Sequence, residues 1–123
     1  MTLQRLALVA VLAFSACALT ACASGASATP VATTTVDLPK SYRFQPPAIV
    51  VPVGATVTWS NSDNFSHSIQ FDGEPGPGAV IAPGESTDRT FASPGTFAYL
   101  CAFHSQDMTG SVVVTAAPGS ETP

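Results

Sequence analysis

The sequence predicts an all-β domain, a small sandwich or barrel of about seven to eight short strands. Three observations predict it. Glycine and proline recur at short intervals between residues 36 and 115. No stretch of helix length in that span shows a helical period of apolar residues. Between the Gly and Pro breaks, apolar and polar residues alternate over short runs, as a half-buried strand requires.

The elements follow in order. Residues 48–53 form a run rich in branched side chains, and Pro52 within it predicts an edge strand or a bulge. Val53-Gly54-Ala55 is a turn. Residues 56–60 alternate, with Val57 and Trp59 on one face, and residues 61–64 form a polar loop. In 65–71 the odd positions are Phe65, His67, Ile69 and Phe71, and the even ones are Ser66, Ser68 and Gln70. A strand over this run turns His67 to the core side with its apolar neighbours. Residues 72–78 are a rigid Gly/Pro loop, Pro83-Gly84 a turn before a polar stretch ending at Thr90-Phe91, and Pro94-Gly95 another turn. Phe97, Tyr99 and Cys101 then share a face, and the Val-rich segment 111–115 closes the domain.

The ends read differently. Arg5 precedes an apolar stretch, 6–18, that is short for a membrane span and typical of an export signal. It runs into Leu19-Thr20-Ala21-Cys22, which resembles the bacterial lipobox. Residues 1–21 are therefore expected to be a lipoprotein-type signal peptide and Cys22 the lipidated first residue of the exported chain. An ordinary secretory leader cut elsewhere is the competing reading. Cys17 fits less well, because Phe14 stands where the lipobox wants an aliphatic residue. Residues 22–35, built mostly of Ala, Ser, Thr and Gly, read as a disordered linker. Its reach is roughly 20 Å on average and about 45 Å when stretched. Residues 116–123 read as a flexible tail.

Composition narrows the function. Residues 36–115 hold one domain with a modest core. Without Arg5, three basic residues face eight acidic ones, which argues against a nucleic-acid partner. It is compatible with a basic protein partner. Two of the three cysteines lie in the export segment, so the domain keeps Cys101 alone and can form no internal disulfide. A lone thiol outside the cytoplasm is a liability unless it has a role.

A role is at hand. Cys101, His104 and Met108 fall in one short run, and His67 lies on an upstream strand. Each has an ordinary reading: buried thiol, surface histidine, loop filler, core histidine. Their coincidence argues otherwise, because the chain has only two histidines and, beyond Met1, only one methionine. One thiolate, two imidazoles and a weak axial thioether form the ligand set of a blue copper site. With both histidines given to a metal, no histidine remains as a general base, and no Ser–His–Asp or paired-carboxylate arrangement can be assembled. The chain is not expected to be an enzyme.

These residues carry a resemblance. The stretches Tyr42-Arg43-Phe44-Gln45-Pro46-Pro47, Val53-Gly54-Ala55-Thr56-Val57-Thr58-Trp59, Asn61 with His67-Ser68, 94–101 and 104–114 resemble the cupredoxins, in particular plastocyanin-like and amicyanin-like proteins. The resemblance implies a Greek-key β-sandwich with one type 1 copper at one end. It implies that His104 reaches the surface in an apolar patch and serves as the electron port. Together with the export segment and Cys22, the function expected is an exported, membrane-tethered monomer passing single electrons between redox protein partners, on the outer face of the cytoplasmic membrane or in the periplasm. The alternative is a copper module for storage, delivery or resistance. Asp72 and Glu74 stand where plastocyanins carry an acidic patch, and Asp63 and Asp107 could steer a basic partner, scattered solubilising charge being the competing reading. Two departures stand out. The spacer Ser105-Gln106-Asp107 is intermediate between the plastocyanin and amicyanin lengths, and Ser68 replaces the family's Asn. Ser68 is expected to tie the two ligand loops as that Asn does, and Asn61 to restrain rather than ligate.

Overall fold

A computed structural model describes residues 28–105 and 107–117. The proposed signal peptide, Cys22 and residues 118–123 lie outside them. Nine strands form among the described residues: β1 Val31–Ala32, β2 Thr35–Leu38, β3 Ala48–Pro52, β4 Thr56–Asn61, β5 His67–Phe71, β6 Ala79–Ile81, β7 Ser86–Thr90, β8 Gly95–Leu100 and β9 Thr109–Thr115. They make a sandwich. One sheet has the order β1-β3-β9-β8-β5-β6 and the other β2-β4-β7. Among the described residues, no helix is long and apolar enough to cross a membrane.

Alternation in β4 and β8 places Val57, Trp59 and Tyr99 in the core, as expected. β4 turns Val57, Trp59 and Asn61 inward, and β9 turns Val112 and Val114 inward. Trp59 packs edge-on against Phe71 and Tyr99, with ring centroids 5.9 and 5.5 Å apart, so aromatic faces bridge the two sheets.

Four expectations need correction. Residues 31–32 and 35, assigned to the linker, belong to strands: β1 pairs with β3, Val31 opposite Ile49 and Ala32 opposite Val50. β3 is therefore not an edge strand. Pro52 is tolerated because β1 ends before reaching it. Phe65 does not face the core but is 57% exposed, because the strand begins only at His67. Ser68, on the supposedly outer side of β5, is fully buried, because the cysteine loop packs over it.

The strand register gathers four connections at one end of the sandwich. Leu38 pairs with Asn61, Ser60 with Ser86, His67 with Ile81, and Leu100 with Thr109. The segments 39–47, 62–66, 82–85 and 101–108 therefore meet there, and the proposed ligands lie on or beside them.

Candidate metal centre

His67 opens β5 and is fully buried. Its Nε2 lies 2.9 Å from Asp63 Oδ2. An ionised carboxylate can only accept, so Nε2 carries the proton and the Nδ1 lone pair is free. The bond from His67 also holds the Asp63 carboxyl below its ordinary 3.8, against the raising effect of burial. Asp63 is itself fixed, accepting the Asn64 N–H at 2.7 Å, while its own N–H donates to Asn61 Oδ1 at 2.9 Å. The Asn61 amide donates to the carbonyls of Phe65 and Ile81, at 2.8 and 2.9 Å. Asn61 therefore restrains the histidine loop and ties it to β6.

The freed Nδ1 faces Cys101 Sγ at 3.8 Å. A first-row metal about 2.05 Å from nitrogen and about 2.3 Å from sulfur spans roughly 3.6–3.8 Å at bond angles of about 110–120°. The gap is one that a single metal ion bound to both atoms would span. Cys101 is completely buried, and Ser68 N–H points at its sulfur from 3.4 Å, as a thiolate acceptor needs. The Ser68 hydroxyl lies 4.0 Å from the sulfur and accepts the Ala102 N–H at 2.8 Å. The residue after His67 is thus bonded to the residue after Cys101.

The 101–108 loop curls back on itself. Cys101 N–H donates to the Met108 carbonyl at 3.0 Å, and His104 N–H to the Cys101 carbonyl at 3.1 Å. The N–H groups of Asp107 and Met108 both donate to the His104 carbonyl, at 3.1 and 3.0 Å. The last two of these bonds close a turn between His104 and Met108, and Met108 ends fully buried in the core cluster that holds Cys101. The His104 ring is half-buried, 5.7 Å from the His67 ring, centroid to centroid. The structure thus brings His67 and Cys101 together, with the His104 ring beside that of His67 and Met108 buried in the same core cluster as Cys101. Among the described residues, no three His, Cys, Asp or Glu side chains by themselves form a group that could hold a metal ion.

Sequence reasoning missed two contributors. Asp63, read as a steering charge, is 6% exposed and committed to His67, so it faces no partner. An acid four residues before the histidine in a short polar loop was the available signal. Tyr42 stands over His104, with ring centroids 4.3 Å apart, on a backbone with positive φ at Ser41 and Tyr42 that no residue in that turn advertises.

Comparison with known proteins agrees with this arrangement. The Cupredoxin-like domain family matches residues 5–114. The chain is 34% identical over 114 residues to amicyanin-alpha from Methylorubrum extorquens, covering 85% of this chain and 92% of the relative. It is 34% identical over 83 residues to plastocyanin from Scenedesmus fuscus, covering 58% of this chain and 85% of the relative. Among solved structures, a copper-containing nitrite reductase from Thermus scotoductus superposes with a TM-score of 0.59 at 29% identity, over 76% of this chain but only 24% of the enzyme.

Proposed function

The chain belongs to the cupredoxin-like domain family, and on that footing we propose that it is an exported blue copper protein that carries single electrons. The observation that carries the reading is the pairing of His67 Nδ1 with Cys101 Sγ at 3.8 Å, each fixed from behind, by Asp63 and by Ser68. His67, Cys101 and His104 would hold the metal, with Met108 as a weak fourth donor that tunes its potential. Copper, when bound, supplies the Cu(I)/Cu(II) couple. The chain's own contribution is to keep the donors where they are in both states, so that transfer needs little rearrangement.

The surface fits the same role. Tyr42, Phe65 and Phe103 are 39%, 57% and 50% exposed around the half-buried His104. This apolar collar is where a redox partner would dock, with His104 as its point of contact. The partner's charge is set by the rim, where Lys40 and Arg43 are exposed as well as Asp107, so an acidic steering patch at this end is not part of the proposal. Burial of Cys101 and Met108 favours a carrier over a delivery module, which must release its ion to a partner. With His67, Cys101, His104 and Met108 all given to the metal, the proposed set would leave no position open for a substrate, which favours a carrier over an enzyme. Lipid attachment at Cys22 would tether the domain to the membrane as a monomer.

The test is to express the chain from Ala23, so that β1 is kept, and add Cu(II). An intense blue colour, a narrow copper hyperfine splitting and reversible reduction are expected, all lost in Cys101→Ser. A colourless product that binds only Cu(I) would overturn the carrier reading. In the full chain, Cys22→Ser should release the protein from membranes, and unchanged retention would refute the lipid tether.

A further inference from the structure

The turn before Phe44 runs against ordinary backbone preference. Ser41 has φ 87° and Tyr42 φ 52°, the two non-glycine positions of positive φ among the described residues. Two such residues in succession persist only where their surroundings hold them, and they gather at functional sites. Burial does not explain the Tyr42 side chain, which is 39% exposed. Its neighbours do. The ring lies 4.3 Å from His104, tilted by 52°, and 6.0 Å from His67, edge-on at 82°. It is 6.1 Å from Phe65, nearly parallel at 26°.

The four proposed donors are not equally held. His67, Cys101 and Met108 are fully buried, and the first two are fixed by Asp63 and Ser68. His104 is half-buried. Among the described residues its ring is restrained by ring contacts with Tyr42 and His67 and by no side-chain hydrogen bond. The backbone of the loop fixes where His104 starts, not where its imidazole points.

We propose that Tyr42 is a positioning residue, whose ring forms the outer wall of the centre and sets the His104 imidazole beside His67 before any metal arrives. The inference rests on the copper reading. It adds that the exposed ligand is preorganised by an aromatic ring from a distant segment, and that the ring's outer face is part of the surface a partner touches.

The experiment compares wild type, Tyr42→Ala and Tyr42→Phe. In the metal-free proteins, NMR reads the His104 side-chain rotamer and the cross-peaks between the His104 and His67 rings. In the copper-loaded proteins, transfer of Cu(I) to a colorimetric chelator reads release. Wild type and Tyr42→Phe should show one His104 rotamer. Tyr42→Ala should show rotamer averaging, loss of the ring–ring cross-peaks, and release about three- to tenfold faster, the range expected for one aromatic pair. A single unchanged rotamer and unchanged release in Tyr42→Ala would overturn the proposal while leaving the blue site standing. If wild type takes up no copper, the copper reading fails instead, and the metal-free spectra still decide whether Tyr42 orients His104. Should Tyr42→Ala not fold, Tyr42→Leu replaces it, with the same expected and overturning results.

Discussion

Ser68→Ala isolates the bond between the two ligand loops. The wild-type hydroxyl is completely buried and accepts the Ala102 N–H at 2.8 Å. Alanine leaves that N–H without its acceptor in a half-buried position, where the unmade bond costs about 1–2 kcal/mol. For a domain of this size the melting temperature should fall by roughly 5–15 °C, which calorimetry of the metal-free protein measures directly. The effect on the metal should be much smaller. The sulfur keeps the Ser68 N–H at 3.4 Å and loses only a hydroxyl at 4.0 Å, the outer limit of such a contact. That loss is worth at most about 0.5 kcal/mol, or about 20 mV in a one-electron potential. The reasoning predicts a large stability change with a small downward shift in potential. Unchanged stability would refute the bridging role. A fall of more than about 100 mV at unchanged stability would show instead that the hydroxyl acts on the sulfur.

Three further outcomes follow from the packing. In Gly110→Ala the new Cβ would lie 2.5 Å from Tyr99 Cζ. The Tyr99 ring is hemmed in by Phe44, Phe71 and Trp59 at 4.8, 5.2 and 5.5 Å, so urea unfolding should show a loss of about 1–3 kcal/mol. Glu74 accepts from Arg89, which holds its carboxyl below 4.5. A lowered carboxyl stabilises the fold above that pH and loses its contribution as pH falls through the folded value. The stability difference between wild type and Glu74→Gln should therefore be present at neutral pH and vanish in acid. With the side chains 30% and 42% exposed, it should stay under about 1 kcal/mol and shrink in salt. Met108→Leu keeps the buried volume, so the fold should lose less than about 1.5 kcal/mol. Losing an axial donor that favours Cu(II) should raise the potential by about 60 mV or more; an unmoved potential would make Met108 a packing residue only.

What could be read from the sequence was what side chains alone specify. β4 and β8 were legible because their buried side chains recur with a period of two, and β9 was legible from its run of valines. β1 was not, because both of its residues are exposed and its pairing with β3 is made by backbone. β6, three residues long, is too short to show a period. The run from Phe65 to Phe71 misled at its start: the alternation continues past the point where the strand begins, and the Asn61 amide holds the Phe65 carbonyl in the loop instead. The four proposed donors were legible from their chemistry and scarcity. Asp63 and Tyr42 were not, because burial of the one and the left-handed turn of the other are decided by segments remote in sequence.

The restraints around the centre are unevenly distributed, and the unevenness bears on electron transfer. On the inner side, hydrogen bonds run from β6 through Asn61 to the loop carrying Asp63, from Asp63 to His67, and from Ser68 to Cys101 and Ala102. None of these bonds involves a metal, so this half of the site is defined by the fold and should change little with the charge of an ion. On the outer side, one half-buried imidazole is held by the buried His67 ring and by the Tyr42 ring, which is itself exposed. On the copper reading, rearrangement accompanying a change of oxidation state should therefore be concentrated at His104, the residue a partner would meet. Docking over Tyr42, Phe65 and Phe103 would exclude water from that side and stiffen it. The structure would then be most resistant to rearrangement in the complex in which the electron has to move.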